Sequence, residues 1–156
     1  MDSGMNFSSM TPYLILGSDI LKALTFATGR GVDVRIVIPH IPDKKIPFII
    51  AKSFYPQLIK AGVRVYEYTP GFVHAKVFVS DDRVATVGSY NLDYRSFYLN
   101  YEVGSLLIDS PVIGDIREDY KNTLGQCREM GIADYEALPL GTRIVGKILR
   151  LFSPLL

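Results

Sequence analysis

Residues 74–91, HAKVFVSDDRVATVGSYN, hold the side chains in this sequence best suited to chemistry. A His and a Lys stand two apart, Asp81 and Asp82 follow, and the stretch closes on Gly88-Ser89-Tyr90-Asn91. The β-branched and aromatic runs on either side of the acidic pair predict two strands joined by a tight turn. Successive strand side chains alternate faces, so His74, Lys76, Phe78 and Ser80 share one face and Asp81 takes the other, away from His74. If Asp82-Arg83 is a two-residue turn, Lys76 lies opposite Ser89 and His74 opposite Asn91. With the turn one residue earlier, His74 lies opposite Ser89. Both registers put Ser89 and Asn91 on the face of His74 and Lys76, because directly paired residues share a face. An ammonium, a hydroxyl and an amide converging on one point suit the non-bridging oxygens of a phosphate. A neutral His74 could attack phosphorus, and a protonated one could donate to a leaving oxygen. A lone His-x-Lys reads as a polar sheet face with a satisfied imidazole and a snorkelling lysine; four convergent groups make the functional reading its equal.

The flanking segments set out the elements that must hold this face. PYLIL (12–16) reads as a buried strand, and GSDILKALTFATGRG as a helix capped by Ser18 or Asp19 and ended by glycines. VDVRIVIP reads as a strand covered on both faces, and HIPDKKIP as a loop. FIIAKSFYPQLIKAG is a second helix, kinked or restarted at Pro56. VRVYEYTP and YEVGSLLID are further strands. SPVIGDIREDYKNTLGQCREMG predicts one long amphipathic helix with Ser110 as cap and Pro111 at its first position. GTRIVGKILRLFSPLL predicts a terminal helix. Strand–helix–strand–helix–strand followed by a hairpin implies an α/β fold, a mixed β-sheet flanked by helices on both faces. Residues 1–10, MDSGMNFSSM, read as a disordered leader, and 11–156 as a single domain.

Bulk properties narrow the function. The chain has 156 residues and a formal net charge of +1, which argues against a surface devoted to nucleic acid. One cysteine, Cys127, excludes an internal disulfide. No apolar run approaches the ~18 residues needed to span a bilayer, and the first residues lack the apolar core of a signal peptide. The chain itself reads as soluble.

HAKVFVSD, followed by six residues and GSYN, resembles the His-x-Lys-x4-Asp-x6-Gly-Ser-x-Asn signature of the phospholipase D superfamily, complete at His74, Lys76, Asp81, Gly88, Ser89 and Asn91. With TPYLI, GVDVRIVIPHIPDKK, GVRVYEYTPGFVHAK, NLDYRSFYLNYEV and RLFSPLL, the sequence from Thr11 onward resembles the C-terminal half of a bacterial cardiolipin synthase. The resemblance implies a phospholipase D-like fold and a phosphatidyl transfer through a phosphohistidine, with anionic phospholipid as substrate and neither metal nor cofactor. Lys76, Ser89 and Asn91 would hold the substrate phosphate, Glu102 would orient the motif histidine, and Asp81 and Gly88 would be structural. The full-length enzyme is expected at the cytoplasmic side of the bacterial membrane. Family members of this type carry two motifs, one His as nucleophile and one as acid. This sequence has one, and its only other histidine, His40, lies in HIPDKKIP, which does not match and reads as a loop residue near the cleft. The second motif must come from a homodimer mate or from an absent N-terminal half. A homodimeric phosphodiesterase or nuclease, a phospholipase and a catalytically silent lipid-binding module are the alternatives.

Two further stretches have double readings. NLDYRSFYLNYE is either an aromatic-packed loop with a helical turn or a wall of a headgroup site, with Arg95 and Tyr90 near the phosphate. In residues 142–156, Arg143, Lys147 and Arg150 recur at helical spacing beside a broad apolar face. That pattern fits peripheral contact with an anionic membrane, or a terminal helix docked on its own domain with its charges in water.

Overall fold

The sheet is organised around a strand that looks like a loop in sequence. In the computed structural model, which describes residues 4–152, β1 (Asn6–Met10) runs parallel to β3 (Asp33–Pro39) on one side and antiparallel to β5 (Val77–Ser80) on the other. The leader reading of residues 1–10 is therefore corrected at Asn6–Met10, while 1–3 lie outside the described residues. The physical reason is that β1 is half polar yet paired on both edges and buried at its C-terminal end. Ser9 and Thr11 are fully buried, Met10 is nearly so, and Phe7 stacks on Phe78 at 5.9 Å between ring centroids. Backbone pairing on both edges, not side-chain hydrophobicity, makes this segment a strand.

The remaining strands are β4 (Arg64–Tyr68), β6 (Val84–Gly88), β8 (Gly104–Ile108) and β9 (Cys127–Met130), giving a seven-stranded sheet in the order β8-β6-β5-β1-β3-β4-β9. A parallel centre, β1-β3-β4, is flanked by antiparallel wings. Two shorter strands, β2 (Leu14–Ile15) and β7 (Leu92–Asp93), pair separately, so the predicted PYLIL strand is short and outside the main sheet. Helices α1 (Ser18–Gly29) and α2 (Lys45–Lys60) cover one face over Leu24, Ile36, Ile50, Phe54 and Val65. On the other face, α4 (Val112–Leu124) packs Ile113 and Tyr120 against Met10, Val37, Val77 and Val79. This is the mixed sheet with helices on both faces that the segment order implies. Strand parity explains the division, since Val34, Ile36 and Ile38 enter the first core and Val37 the second. Pro56 lies inside α2.

The long helix after Ser110 is corrected at both ends. Pro111 is the cap and Ser110 makes no side-chain capping bond, only accepting Ile113 N–H at its carbonyl. The helix stops at Leu124, and CREM forms β9 against β4, with Val65 opposite Met130. An open edge on β4 is thereby closed. Short helices α3 (Tyr94–Tyr98) and α5 (Ile132–Glu136) precede and follow these elements, and α6 (Leu140–Leu151) packs on α2. Residues 153–156 of the predicted terminal helix lie outside the described residues.

The hairpin turn has three residues, not two. Ser80 pairs with Val84, leaving Asp81, Asp82 and Arg83 in the loop, and Asp81 and Asp82 both take left-handed backbone angles, φ 52° and 55°. Aspartate tolerates that region better than most residues. The Asp81 carboxylate accepts the Asn6 N–H at 2.8 Å, and its own N–H donates to the Asn6 carbonyl at 3.0 Å, so the turn is tied to the start of β1. Asp81→Ala should lower stability by about 1–2 kcal/mol, combining a lost charge-assisted bond with a left-handed alanine. Asp81→Asn, which keeps an acceptor and tolerates the angle, should cost clearly less. Urea denaturation checks both, and equal stability of wild type and Asp81→Ala would remove the tie from the account.

Candidate active site

The three parallel strands end together, and the motif begins where they end. Met10, the last residue of β1, pairs with Val77, the first of β5, so His74 and Lys76 lie just outside the carboxyl edge of the sheet. Open α/β sheets bind ligands in that position. The hydrogen-bond ladder continues one step beyond β5, Gly88 N–H donating to the Lys76 carbonyl at 3.2 Å. The cross-strand neighbour of Lys76 is therefore Gly88, and the registers that place Ser89 opposite Lys76 or His74 are corrected. The three-residue turn shifts the pairing by one and reverses the parity of everything after it.

Ser89 reaches the site by another route. The chain leaves β6 at Gly88, and Ser89 N–H donates to the Val103 carbonyl at 2.8 Å while Val103 N–H donates to Ser89 Oγ at 3.0 Å. That clamp aims the hydroxyl at Glu102, whose carboxylate accepts a very short bond from Ser89 and another from Asn100 Nδ2 at 3.2 Å. These bonds, that from Ser89 foremost, hold the Glu102 carboxyl below the usual glutamate range, with further help from Ser96 and the charge of Lys76. Lys76 Nζ donates to His74 Nε2 and to the His74 carbonyl, both at 2.9 Å. An ammonium has no lone pair, so His74 Nε2 must be the acceptor and its proton belongs on Nδ1. Burial pulls the Lys76 pKa down, against the opposing charges of Glu102 and Asp93. Phe72 stacks on the exposed imidazole at 5.6 Å and fixes its plane.

The structure thus gathers His74, Lys76, Ser89 and Glu102 into one bonded and charge-coupled cluster. Glu102 bonds to Ser89 and Asn100 and has no hydrogen bond to His74, which is positioned instead by Lys76 and Phe72. Asn91 lies deeper. Its N–H donates to Ser96 Oγ at 2.9 Å and its Nδ2 lies 3.5 Å from the same oxygen, while its Oδ1 is buried without a partner among the described residues. Tyr90 turns to the apolar side of the sheet, stacked on Phe78 at 5.8 Å, and Gly88 and Gly104 make room for it. A Cβ added at either glycine would lie 2.5 Å or 2.3 Å from its ring. Arg95 is exposed; its side chain makes no hydrogen bond among the described residues, and its carbonyl accepts from Leu99 and Asn100 N–H.

Several supporting residues escape sequence reasoning. Thr11 Oγ1 accepts Leu92 N–H at 3.0 Å and donates to the Tyr13 carbonyl, pinning the loop after the motif to the end of β1. Asp93 caps α3 through Ser96 N–H at 2.7 Å, a D-x-x-S spacing that could have been read as a helix start. Beyond them, Glu67, almost fully buried, accepts from Tyr55 at 2.6 Å, lies 2.6 Å from His40 Nδ1 and pairs with Lys52 at 3.2 Å. His40 follows β3 at this same edge, held by a buried carboxylate rather than carried on a free loop.

The fold is of the phospholipase D type. It superposes on a phospholipase D family member, Nuc, from Salmonella typhimurium with a TM-score of 0.69, at 24% identity, over 83% of this chain and 84% of that one. It superposes on a phosphatidylserine synthase of Haemophilus influenzae, also at 0.69, with 17% identity over 99% of this chain and 40% of that one. The family described as "Cardiolipin synthase, PLD-like domain" matches residues 3–124, and the chain belongs to it. Cardiolipin synthase 2 of Bacillus anthracis is 42% identical over 146 residues, and a cardiolipin synthase of a Geobacillus species is 40% identical over the same length. Each alignment takes in 94% of this chain but only 28% and 29% of those proteins, so the chain spans less than a third of the curated relatives it matches.

The Ser89–Glu102 bond has a titration signature. A carboxyl with a depressed native pKa adds stability above its unfolded value and loses it as pH falls through the native one. Ser89→Ala should move the Glu102 carboxyl upward toward an ordinary glutamate, read by carboxyl-carbon NMR across an acid titration. An unmoved value would assign the depression to Asn100, Ser96 and Lys76 instead.

Proposed function

We propose that this chain supplies one half of the active site of a cardiolipin synthase-type phosphatidyltransferase, with an anionic phospholipid, phosphatidylglycerol, as donor. The observation that carries the reading is the bond from Lys76 to His74 Nε2. It leaves Nε2 deprotonated, the state a nucleophile needs, and sets the ammonium beside the position a phosphoryl oxygen would take. Membership of the family supports the choice of reaction.

In the first step His74 Nε2 bonds to phosphorus, and the bond from phosphorus to the glycerol headgroup oxygen breaks. That oxygen takes a proton from the histidine of a second motif. Lys76 moves from Nε2 to the non-bridging oxygens as Nε2 loses its lone pair, and the Ser89 hydroxyl turns from Glu102 to donate there. In the second step the same partner histidine removes the proton of the acceptor hydroxyl, that oxygen bonds to phosphorus, and the phosphorus–nitrogen bond breaks to restore His74. Two phosphatidylglycerols give cardiolipin and glycerol. One motif provides one of the two histidines, so the second comes from another copy, by two-fold pairing, or from the remainder of a protein the length of the relatives. Water in the acceptor position would make the same chemistry a phospholipase or phosphodiesterase. The near-neutral charge speaks against a polyanionic nucleic acid in the donor position.

The test uses the protein with its second motif supplied, as an isolated dimer or as the full-length chain, mixed with phosphorus-labelled phosphatidylglycerol. An acid-labile, base-stable adduct should form on wild type and be missing from His74→Ala. Turnover should fall at least ~10³-fold in His74→Gln and by roughly 10²–10³ in Lys76→Ala. A wild-type protein that binds the lipid yet forms neither adduct nor product would be a silent module, and the reading would fail.

A further inference from the structure

Helix α6 (Leu140–Leu151) is docked mainly on its polar side, with Leu149 packed against the core at the margin. Gly146 is its one buried residue and sits directly on α2, where an added Cβ would lie 2.9 Å from the Ile49 carbonyl. Arg150 lays its guanidinium over the Phe54 ring at 4.0 Å and donates to Gln57 Oε1 at 2.7 Å and to the Ser53 carbonyl at 3.3 Å. Arg143 lies over the Tyr135 ring at 5.2 Å and donates to the Glu136 carbonyl at 3.5 Å. The two arginines and the glycine that hold the helix down occupy the face an amphipathic helix normally shows to water.

The apolar face is turned outward. Leu140, Ile144, Val145, Ile148, Leu151 and Phe152 are all 45–78% exposed. At about 100° per residue they cover an arc of roughly 140°. Lys147, also exposed, lies at one edge of that arc, and Lys60 of α2 stands across the groove between the helices. Glu136 is the single carboxylate along that groove. From Ala137 to Leu156 the sequence contains no Asp or Glu.

We infer that α6 lies flat on an anionic phospholipid surface, its outward apolar residues at the acyl boundary and Lys147 and Lys60 against headgroup phosphates. An exposed apolar arc edged by lysine and free of acids is the pattern of an interfacial helix. Charge decides between this and a second copy of the chain. A two-fold contact through this face would set Lys147 near its own symmetry mate with no carboxylate on the helix to relieve the repulsion. The lipid identity rests on the proposed phosphatidyl transfer; helix α6 itself lies outside the residues matched by the family, 3–124.

The chain contains no tryptophan, so Ile148→Trp installs a single reporter. With vesicles of phosphatidylcholine containing a third phosphatidylglycerol, its emission should shift to the blue, and much less so with phosphatidylcholine alone. In co-sedimentation with the mixed vesicles, the doubly substituted Ile144→Asp, Ile148→Asp protein should bind at least tenfold more weakly, and Lys147→Glu several-fold more weakly. Leu106→Asp, on the exposed edge strand β8, should bind as wild type does. The substituted side chains are exposed, and circular dichroism confirms that each variant is folded. His74→Ala should bind vesicles normally, which separates this contact from the reaction: vesicle binding without turnover by the wild-type protein with its second motif supplied sinks the transferase reading alone. The inference is overturned by an unshifted tryptophan, by binding that survives the double substitution, or by a lipid-free dimer that the double substitution dissociates.

Discussion

Everything at the carboxyl edge of the sheet depends on β1 being paired on both sides. A strand with two partners cannot slide without breaking both ladders, and here one partner is parallel and the other antiparallel. The parallel partner fixes where β1 ends relative to β3 and β4. The antiparallel partner brings the chain back to that end just before β5, so a His-x-Lys immediately upstream of β5 must emerge over the crevice. The Asp81 carboxylate, bonded to Asn6 at the far end of the same strand, locks the register from below. An aspartate that touches neither His74 nor Lys76 therefore sets where both of them lie.

Within the site, Lys76 stands between a base and an acid group. Its hydrogen bonds go to His74, while the carboxylates whose charge it feels are Glu102 and Asp93. Were it to pair directly with Glu102, the two charges would neutralise each other and leave nothing for a phosphate. Ser89 and Asn100 prevent this by satisfying Glu102 first. A carboxylate with its own donors can stabilise a nearby cation through the field without capturing it, and the ammonium keeps donors to offer. The clamp of Ser89 against Val103 gives this arrangement rigidity, since both the hydroxyl's acceptor role and its donor role are taken by groups on the strand-to-loop junction.

The fold was legible wherever apolar periodicity and turn residues agreed, as in α1, α2, β3, β4 and the hairpin strands. It was illegible where pairing overrides composition. Asn6–Met10 has too few apolar residues to look like a central strand, and CREM looks like the tail of a helix until the open edge of β4 claims it. The site was legible as a set of residue types and illegible as geometry. Parity from an assumed two-residue turn delivered Ser89 to His74 and Lys76, but the true turn is one residue longer and would have sent Ser89 to the other face. What restores it is the departure from β6 at Gly88, a backbone event that strand periodicity does not encode. The longer turn instead places Tyr90 on the face of Phe78, where it stacks. The second edge cluster, His40 with Glu67, Tyr55 and Lys52, joins three segments, the end of β3, β4 and α2, that no local spacing relates.

On the proposed transferase reading, the charge around His74 gives a physical reason for a second motif. The cluster contains one cation, Lys76, and two carboxylates, Glu102 and Asp93, whose charges it feels. A neutral imidazole adds nothing, and a phosphodiester brings one more negative charge. Arg95, exposed and bonded to no described side chain, is the local cation left to contribute; with it the protein groups reach only balance. A phosphate would enter such a half-site against its own field, at a cost that grows as water is excluded. A second His-x-Lys facing the first changes the sign, because its lysine adds one charge and its histidine, held as the acid beside a bound phosphate, adds another. The same two cations would stabilise the five-coordinate phosphorus as charge develops on its equatorial oxygens. On the proposed reading the partner motif serves binding as much as proton transfer, and the isolated chain should be weak in affinity for a phosphodiester before it is slow in chemistry.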